Sequence, residues 1–423
     1  MIIKASLPLT GILLVSSLMA VQSAFADFIG DAKGSLSTQN YYFSHDFRDG
    51  AGQVKREEWA QGFILKLESG YTEGTVGFGV DAMGMLGVKL DSSPDRTGTG
   101  LLPGRGEDEY SKLSLTGKVR LGESELFVGG LSPTLPLLAS NSSRLFPQVW
   151  TGAQLTSRDI DRFTFHFGKV GEVKQRNSTD SQDLTTMAQL GAYSGSATSD
   201  SYLYGGVDFA ITPKMQLSLH TSELEDFYRR NYLGFKYSLP VGPGALFTEL
   251  RYFTASETGA EILGEVDNRV ISSLLGYSLG GHRLSGGYQK VSGDTAYAYI
   301  GGSDTYLFGE QMVSTFSLQD ERAWHARYDY SFAAIGAPGL TFTLRYVKGD
   351  NIDPEKITTP QAAALRAAGE KGREWERTTD IAYVVQNGPF KDFSMRWRNA
   401  SSRSNYSRDA DQNRVILSYA IKF

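Results

Sequence analysis

The chain has 423 residues, with 42 Lys plus Arg against 47 Asp plus Glu and no Cys. The missing Cys excludes a disulfide scaffold, a thiolate metal or iron–sulfur site and a thiol nucleophile, and the net charge of -5 excludes the basic bias of a nucleic-acid binder. Beyond the N-terminus no apolar run approaches the roughly 18 residues of a spanning helix, which excludes a helical membrane protein but not a β-barrel, whose alternating strands average to a soluble-looking hydropathy.

Residues 1–26 have the pattern of a cleaved secretory signal: a positive charge at Lys4, an apolar core from Leu7 to Ala20, and small residues at Ala24 and Ala26 before a cut at Asp27. Residues 27–423 then form one domain built from a single kind of segment. Stretches of roughly ten residues alternate apolar and polar and stop at Gly, Pro, Asn, Asp or Ser, which is the period of a strand with one apolar face.

In chain order, tight connections are expected at Gly70 to Gly74, at Gly122-Glu123-Ser124 and at Gly280-Gly281. Long polar connections are expected over 91–109, 131–159, 292–321 and 349–378. Between them Ile271, Ser273, Leu275, Tyr277 and Leu279 alternate with Ser272, Leu274, Gly276 and Ser278, and the same period of two runs through Trp324 to Phe332, Leu340 to Tyr346 and, most clearly, Arg414 to Phe423. Only 359–373 has helical composition, inside a long connection. Long loops at one end and short turns at the other is the outer-membrane pattern, and at roughly 22 residues per strand with its connections the chain makes about 18 strands. A soluble all-β sandwich alternates in the same way. Three features favour a transmembrane antiparallel β-barrel: aromatics at strand ends (Tyr41-Tyr42-Phe43, Tyr328, Tyr330, Tyr419) suited to interfacial girdles, a terminal strand ending on Phe423, and isolated Arg residues in mid-strand beside a watery lumen.

The run Glu58 to Leu90, Ser143-Arg144-Leu145-Phe146-Pro147-Gln148, Tyr288-Gln289-Lys290-Val291, Tyr299-Ile300-Gly301, Ala326-Arg327-Tyr328-Asp329 and Tyr383-Val384-Val385-Gln386 are collinear landmarks along nearly all of the chain. With these the chain resembles the OprD-type outer-membrane carboxylate channels. The resemblance implies an 18-stranded barrel with long extracellular loops folded into the lumen and short periplasmic turns, contact with outer-membrane lipid as a monomer or loose homotrimer, and passive uptake of small carboxylate-bearing solutes without a cofactor or metal. It also implies a ladder of arginines, carried here by Arg396, Arg398, Arg414, Arg144 and Arg48, facing a pocket carried by Tyr193, Tyr299, Asp304, Ser303 and Ser143. Arginine suits a ladder because it stays charged and grips carboxylates bidentately, and a row of weak sites passes an anion along where one tight site would trap it.

The chain departs from the family pattern at Ala382, where the family often has a ladder Lys, at Gln39, where it often has Arg, and at Tyr297-Ala298-Tyr299-Ile300, where it often has Phe-Asp-Tyr-Ile. The lost acid at Ala298 and the added ring of Tyr297 favour a monocyclic or aromatic carboxylate over a basic amino acid, which stays the alternative. Arg327 and Asp329, two apart on one face, are expected to form a structural ion pair. A barrel hydrolase is a distant alternative: none of His45, His166, His220, His282 and His325 lies in a G-x-S-x-G elbow or an H-E-x-x-H helix, and the position that would supply a relative's triad His is Lys169. A structural adhesin barrel would need no ladder.

Overall fold

The computed structural model describes residues 28–423; the expected signal peptide, 1–26, lies outside the described residues. Eighteen long strands form the wall: β1 (Lys33–Phe47), β2 (Lys55–Glu68), β3 (Val76–Asp91), β4 (Glu109–Leu121), β5 (Ser124–Leu131), β6 (Val149–Ser157), β7 (Phe163–Lys174), β8 (Tyr202–Thr212), β9 (Met215–Leu224), β10 (Tyr228–Val241), β11 (Gly244–Glu257), β12 (Asp267–Leu279), β13 (His282–Ser292), β14 (Arg322–Ser331), β15 (Leu340–Ile352), β16 (Gly372–Val384), β17 (Ser394–Ser404) and β18 (Ala410–Lys422). Each pairs antiparallel with its chain neighbour, and β1 closes on β18 from Ser35↔Lys422 to Phe47↔Ala410. The backbones of Gly34 and Phe423 exchange both hydrogen bonds, at 2.7 and 2.9 Å, so the terminal residue is the last rung of the seam. A closed barrel leaves no strand edge unpaired.

Which face is apolar decides between barrel and sandwich. On β4, Leu113 and Leu115 are 61% and 57% exposed, while Lys112 and Ser114 are 4% and 8% exposed. The apolar face is the outside and the polar face lines the interior, as a lipid-facing wall requires. The same parity exposes Met395 and Trp397 of β17 and turns Arg396 and Arg398 inward.

At one end the connections are short: 122–123, 213–214, 242–243 and 280–281 are two-residue turns. The other end carries 92–108, 132–148, 175–201, 293–321 and 353–371. Four points differ from the sequence expectations. The loop expected over 131–159 contains β6, whose alternation is broken by a bulge at Thr151/Gly152. The loop expected over 349–378 is trimmed by β15 and β16 at its two ends, and the 175–201 loop was not anticipated. Tyr41 and Phe43 face the interior, both buried, and do not join an interfacial girdle. Loop 353–371 does hold the expected helix, α1 (Pro360–Ala368). Thr359 caps its first turn by accepting from the Ala362 N–H at 3.2 Å, Pro360 opens it, and Gly369 ends it in the left-handed region at φ 65°.

Loop backbones inside a barrel need partners for their N–H groups, and the wall supplies them. Glu376 of β16 accepts from the N–H groups of Met312 at 2.9 Å, Val313 at 3.2 Å and Ser314 at 2.9 Å. Glu58 of β2 does the same for loop 92–108, accepting from Gly98 at 2.9 Å, Leu101 at 3.1 Å, Leu102 at 3.3 Å and the Thr99 hydroxyl. Loop 293–321 is further tied by Arg251 to the Tyr306 carbonyl (2.7 Å), by Phe308 N–H to Ser272 Oγ (3.0 Å) and by Arg414 to the Met312 carbonyl (3.1 Å). The loops meet at mid-lumen, where the Asp304 N–H donates to the Ala139 carbonyl at 3.0 Å.

Replacing Glu376 by Ala leaves three loop N–H groups without their acceptor, each costing about 1–3 kcal/mol if kept buried. The expected outcome is that 312–314 lifts off the wall, giving a larger and noisier single-channel conductance while the heat-modifiable barrel band on gels is retained. An unchanged conductance would mean that Glu376 does not hold the loop.

Candidate functional site

Loops 132–148 and 293–321, together with the wall of β14 to β18, enclose a cavity of about 680 Å³. Arg396 and Arg398 of β17, Arg414 of β18 and Arg144 of loop 132–148 all line it. So do Arg176, Arg327 and Arg345, and the only carboxylates among them are Asp304, Glu310 and Asp380. This cavity therefore carries more cations than carboxylates.

Each arginine has a support, and the supports differ. Arg396 Nε lies 2.9 Å from both oxygens of Asp380, a fork-on-carboxylate pair. Arg398 Nε lies 2.9 Å from Asp380 Oδ2 but is not aimed at it, and Arg398 donates no hydrogen bond within the described residues. Its Nε is enclosed beside that carboxylate. Arg414 donates to Gln412 Oε1 at 2.7 Å and stacks 4.3 Å from the Phe43 ring centroid. Arg144 stacks on the same ring at 5.1 Å and donates to the Thr99 and Ser143 carbonyls at 2.7 and 3.1 Å. Burial, helped by the like charge of Arg176, lowers the Arg144 guanidinium to about 10, so it stays charged at neutral pH. Arg176 donates to Asn141 Oδ1 and Ser143 Oγ, both at 2.9 Å.

The sequence-derived residues divide as follows. Arg396, Arg398, Arg414 and Arg144 lie together, with Tyr299, Asp304, Ser303 and Ser143 on the same cavity. Arg48 does not join them; it sits at the long-loop rim, 58% exposed, paired with Asp411. Tyr193 is buried behind loop 293–321, its hydroxyl donating to the Ala296 carbonyl. Tyr297 is likewise enclosed, beneath the Arg230 guanidinium at 4.7 Å and donating to the Thr305 carbonyl at 2.9 Å, so it offers no ring to the lumen. Tyr306 lines the cavity in its place. Arg327 and Asp329 form the expected pair, at 2.7 Å, although Arg327 also borders the cavity. Asp380 and Arg345 were readable from strand parity, on the polar faces of β16 and β15; Arg176, on a loop, gave no periodic signal.

Asp304 makes no side-chain hydrogen bond within the described residues. Burial and the neighbouring Glu310 push its carboxyl up to about 7, against the opposing pull of Arg176.

The chain matches the model of the OprD family, described as outer membrane porin, over residues 26–423. It is 37% identical to Porin D of Pseudomonas aeruginosa over 96% of each chain. Among solved structures, P. aeruginosa OccK9 (OpdG) is 43% identical with a TM-score of 0.88, covering 94% of this chain and 100% of that one. P. aeruginosa OpdK with vanillate is 36% identical with a TM-score of 0.85 over the same shares. The chain belongs to the OprD family of porins, and is a bacterial outer-membrane protein whose apolar exterior faces lipid.

The raised carboxyl of Asp304 sets a pH dependence whose sign is fixed. Below about 7 the group is neutral and the cavity more positive; above it the carboxylate offsets one arginine. Anion preference, read as a reversal potential in a KCl gradient, is expected to grow as pH falls through 7, and Asp304→Asn to hold it at the low-pH value throughout. A wild-type reversal potential flat from pH 6 to 8 would contradict this.

Proposed function

We propose that this OprD-family porin is a substrate-specific channel for small carboxylate-bearing nutrients, guided by Arg396, Arg398, Arg414 and Arg144 toward a pocket formed by Tyr299, Asp304, Ser303 and Ser143. The observation that carries the reading is the arginine excess of one cavity, in which Arg398 donates no hydrogen bond among the described residues. A carboxylate entering from the long-loop end meets Arg144 and Arg176, the two arginines contributed by the loops. The same cavity brings it to Arg398, whose Nε is buried beside Asp380 and whose terminal amino groups donate no hydrogen bond among the described residues. Asp380 keeps the site from being too strong: it shares two cations, so an anion gains a contact without finding a fully uncompensated charge, and it can leave.

Monocyclic or aromatic carboxylates are the favoured solutes. The rings of Tyr299 and Tyr306 line the cavity and offer faces against which a flat solute packs at an offset or on edge. The solved relative OpdK is described with vanillate, an aromatic carboxylate. A basic amino acid is the second reading, favoured by Asp304 and Glu310 on the same cavity, since acids opposite bases orient a solute carrying both charges. The relatives are channels, and the chain is read as a channel and not an enzyme.

Arg396→Ala with Arg398→Ala is expected to lower benzoate uptake into liposomes on the order of tenfold, since a hydrogen bond to a charged group contributes about 1.5 kcal/mol or more. Ion selectivity is expected to move toward cations, because Asp380 is left alone, while folding survives as lumenal changes generally allow. Retained anion preference would remove these residues from the pathway. Competition between labelled arginine and labelled benzoate separates the solute classes: saturable arginine uptake untouched by benzoate would favour the basic amino acid.

A further inference from the structure

Below the constriction, toward the short-turn end, the wall of β12 to β15 holds a separate cavity of about 460 Å³. It shares Leu307, Arg327 and Arg345 with the constriction cavity, so the two are contiguous. Its charged or titratable lining is Arg283, His325, Arg327, Asp329 and Arg345. Three arginines therefore face one carboxylate.

That carboxylate is already spent. Asp329 accepts from Arg327 Nε at 2.9 Å and Nη2 at 2.7 Å, and from Thr343 Oγ1 at 2.7 Å. Arg345 uses its donors on the Phe308 and Glu310 carbonyls, the latter at 2.8 Å. Arg327 and Arg345 nevertheless stand directly opposite each other across β14 and β15, an arrangement of like charges that is destabilising by itself. Arg283 lies across from Asp329 in the sheet register and has no carboxylate left to take. It donates no hydrogen bond within the described residues, and its guanidinium is held flat, 3.9 Å over the Phe247 ring. The Phe247 ring occupies the space where a Cβ at Gly276 would be, so Gly276 leaves room for the ring beneath the guanidinium. A pre-positioned cation with unused donors, beside two crowded cations, is the arrangement an anion site needs. The remaining lining includes Leu274, Leu307 and Phe308, an apolar patch of the size a single ring covers.

We propose that this cavity is a second carboxylate subsite on the periplasmic side of the constriction, where Arg283 and Arg327 receive the anion and a flat ring lies against Leu274, Leu307 and Phe308. The inference rests on the carboxylate-channel reading above and adds to it a path: the solute leaves the β17–β18 arginines sideways, along the β12–β15 wall. Two weak sites in series let an arriving anion occupy the second as it vacates the first.

The test uses the full-length channel in planar bilayers, with benzoate added to one side at a time, and the variants Arg283→Gln and Arg283→Lys. Arg283 does not line the constriction cavity, so block from the long-loop side should change less than about twofold. From the periplasmic side the half-blocking benzoate concentration should rise about fivefold to tenfold in Arg283→Gln. Arg283→Lys should fall between, since it keeps the charge and loses the fork; if the Gln variant does not insert, the Lys variant must still show a side-specific rise. Unchanged block in the inserted variants, or equal weakening from both sides, would overturn the subsite while leaving the channel reading intact. Wild-type channels that benzoate blocks from neither side would overturn the channel reading and the subsite with it.

Discussion

The constriction depends on two buried carboxylates reaching from the wall to gather loop backbone. An irregular loop inside a barrel has no ladder for its N–H groups, and water alone would leave it mobile. Glu376 collects three consecutive N–H groups of loop 293–321, and Glu58 collects three of loop 92–108. A carboxylate can accept several such bonds at once, and each is stronger than its neutral counterpart. The pore can therefore be narrowed by unstructured chain and still have a fixed shape, on which the position of Arg144 and of the Met312 carbonyl that meets Arg414 both depend.

Cations concentrated in a narrow space repel one another, and the site answers this in three ways. Asp380 lies against Arg396 and Arg398 together. Phe43 lends its ring face to both Arg144 and Arg414, a neutral surface that still attracts cations. Elsewhere carbonyl dipoles receive the donors, as with Arg345. These differ in what they leave for a solute. A ring or a carbonyl lowers the local repulsion and leaves the net charge in place, whereas a carboxylate cancels it, so the strongest anion attraction lies where stacking replaces pairing.

Much of the wall was legible because period 2 is a property of the sequence itself. Met395-Arg396-Trp397-Arg398 assigned both arginines to one face, and the structure has that face inward. The same rule contained Asp380 and Arg345, which went unused because parity alone does not say which polar residues converge from different strands. Loops carry no period, so Arg176 was invisible, and the loop residues Tyr193 and Tyr297, expected on the pathway, turn out to be its buttresses. Tyr41 and Phe43 show the other limit. Aromatics near a strand end look alike whether they meet lipid or carry a guanidinium, and only the in-or-out assignment separates the two. The broken alternation of β6 is the same failure in small form, since one bulge reverses the parity on which the reading rests.

The seam between β1 and β18 joins the two ends of the described chain. Pairing so distant in sequence has the largest loop-closure cost, and such contacts form slowly. Arg414, which holds the Met312 carbonyl of loop 293–321, lies on β18, a strand of this seam, and Glu376 lies two strands away on β16. The strand that closes the wall is thus also one that holds the loop inside it, so a change at the seam is felt in the lumen.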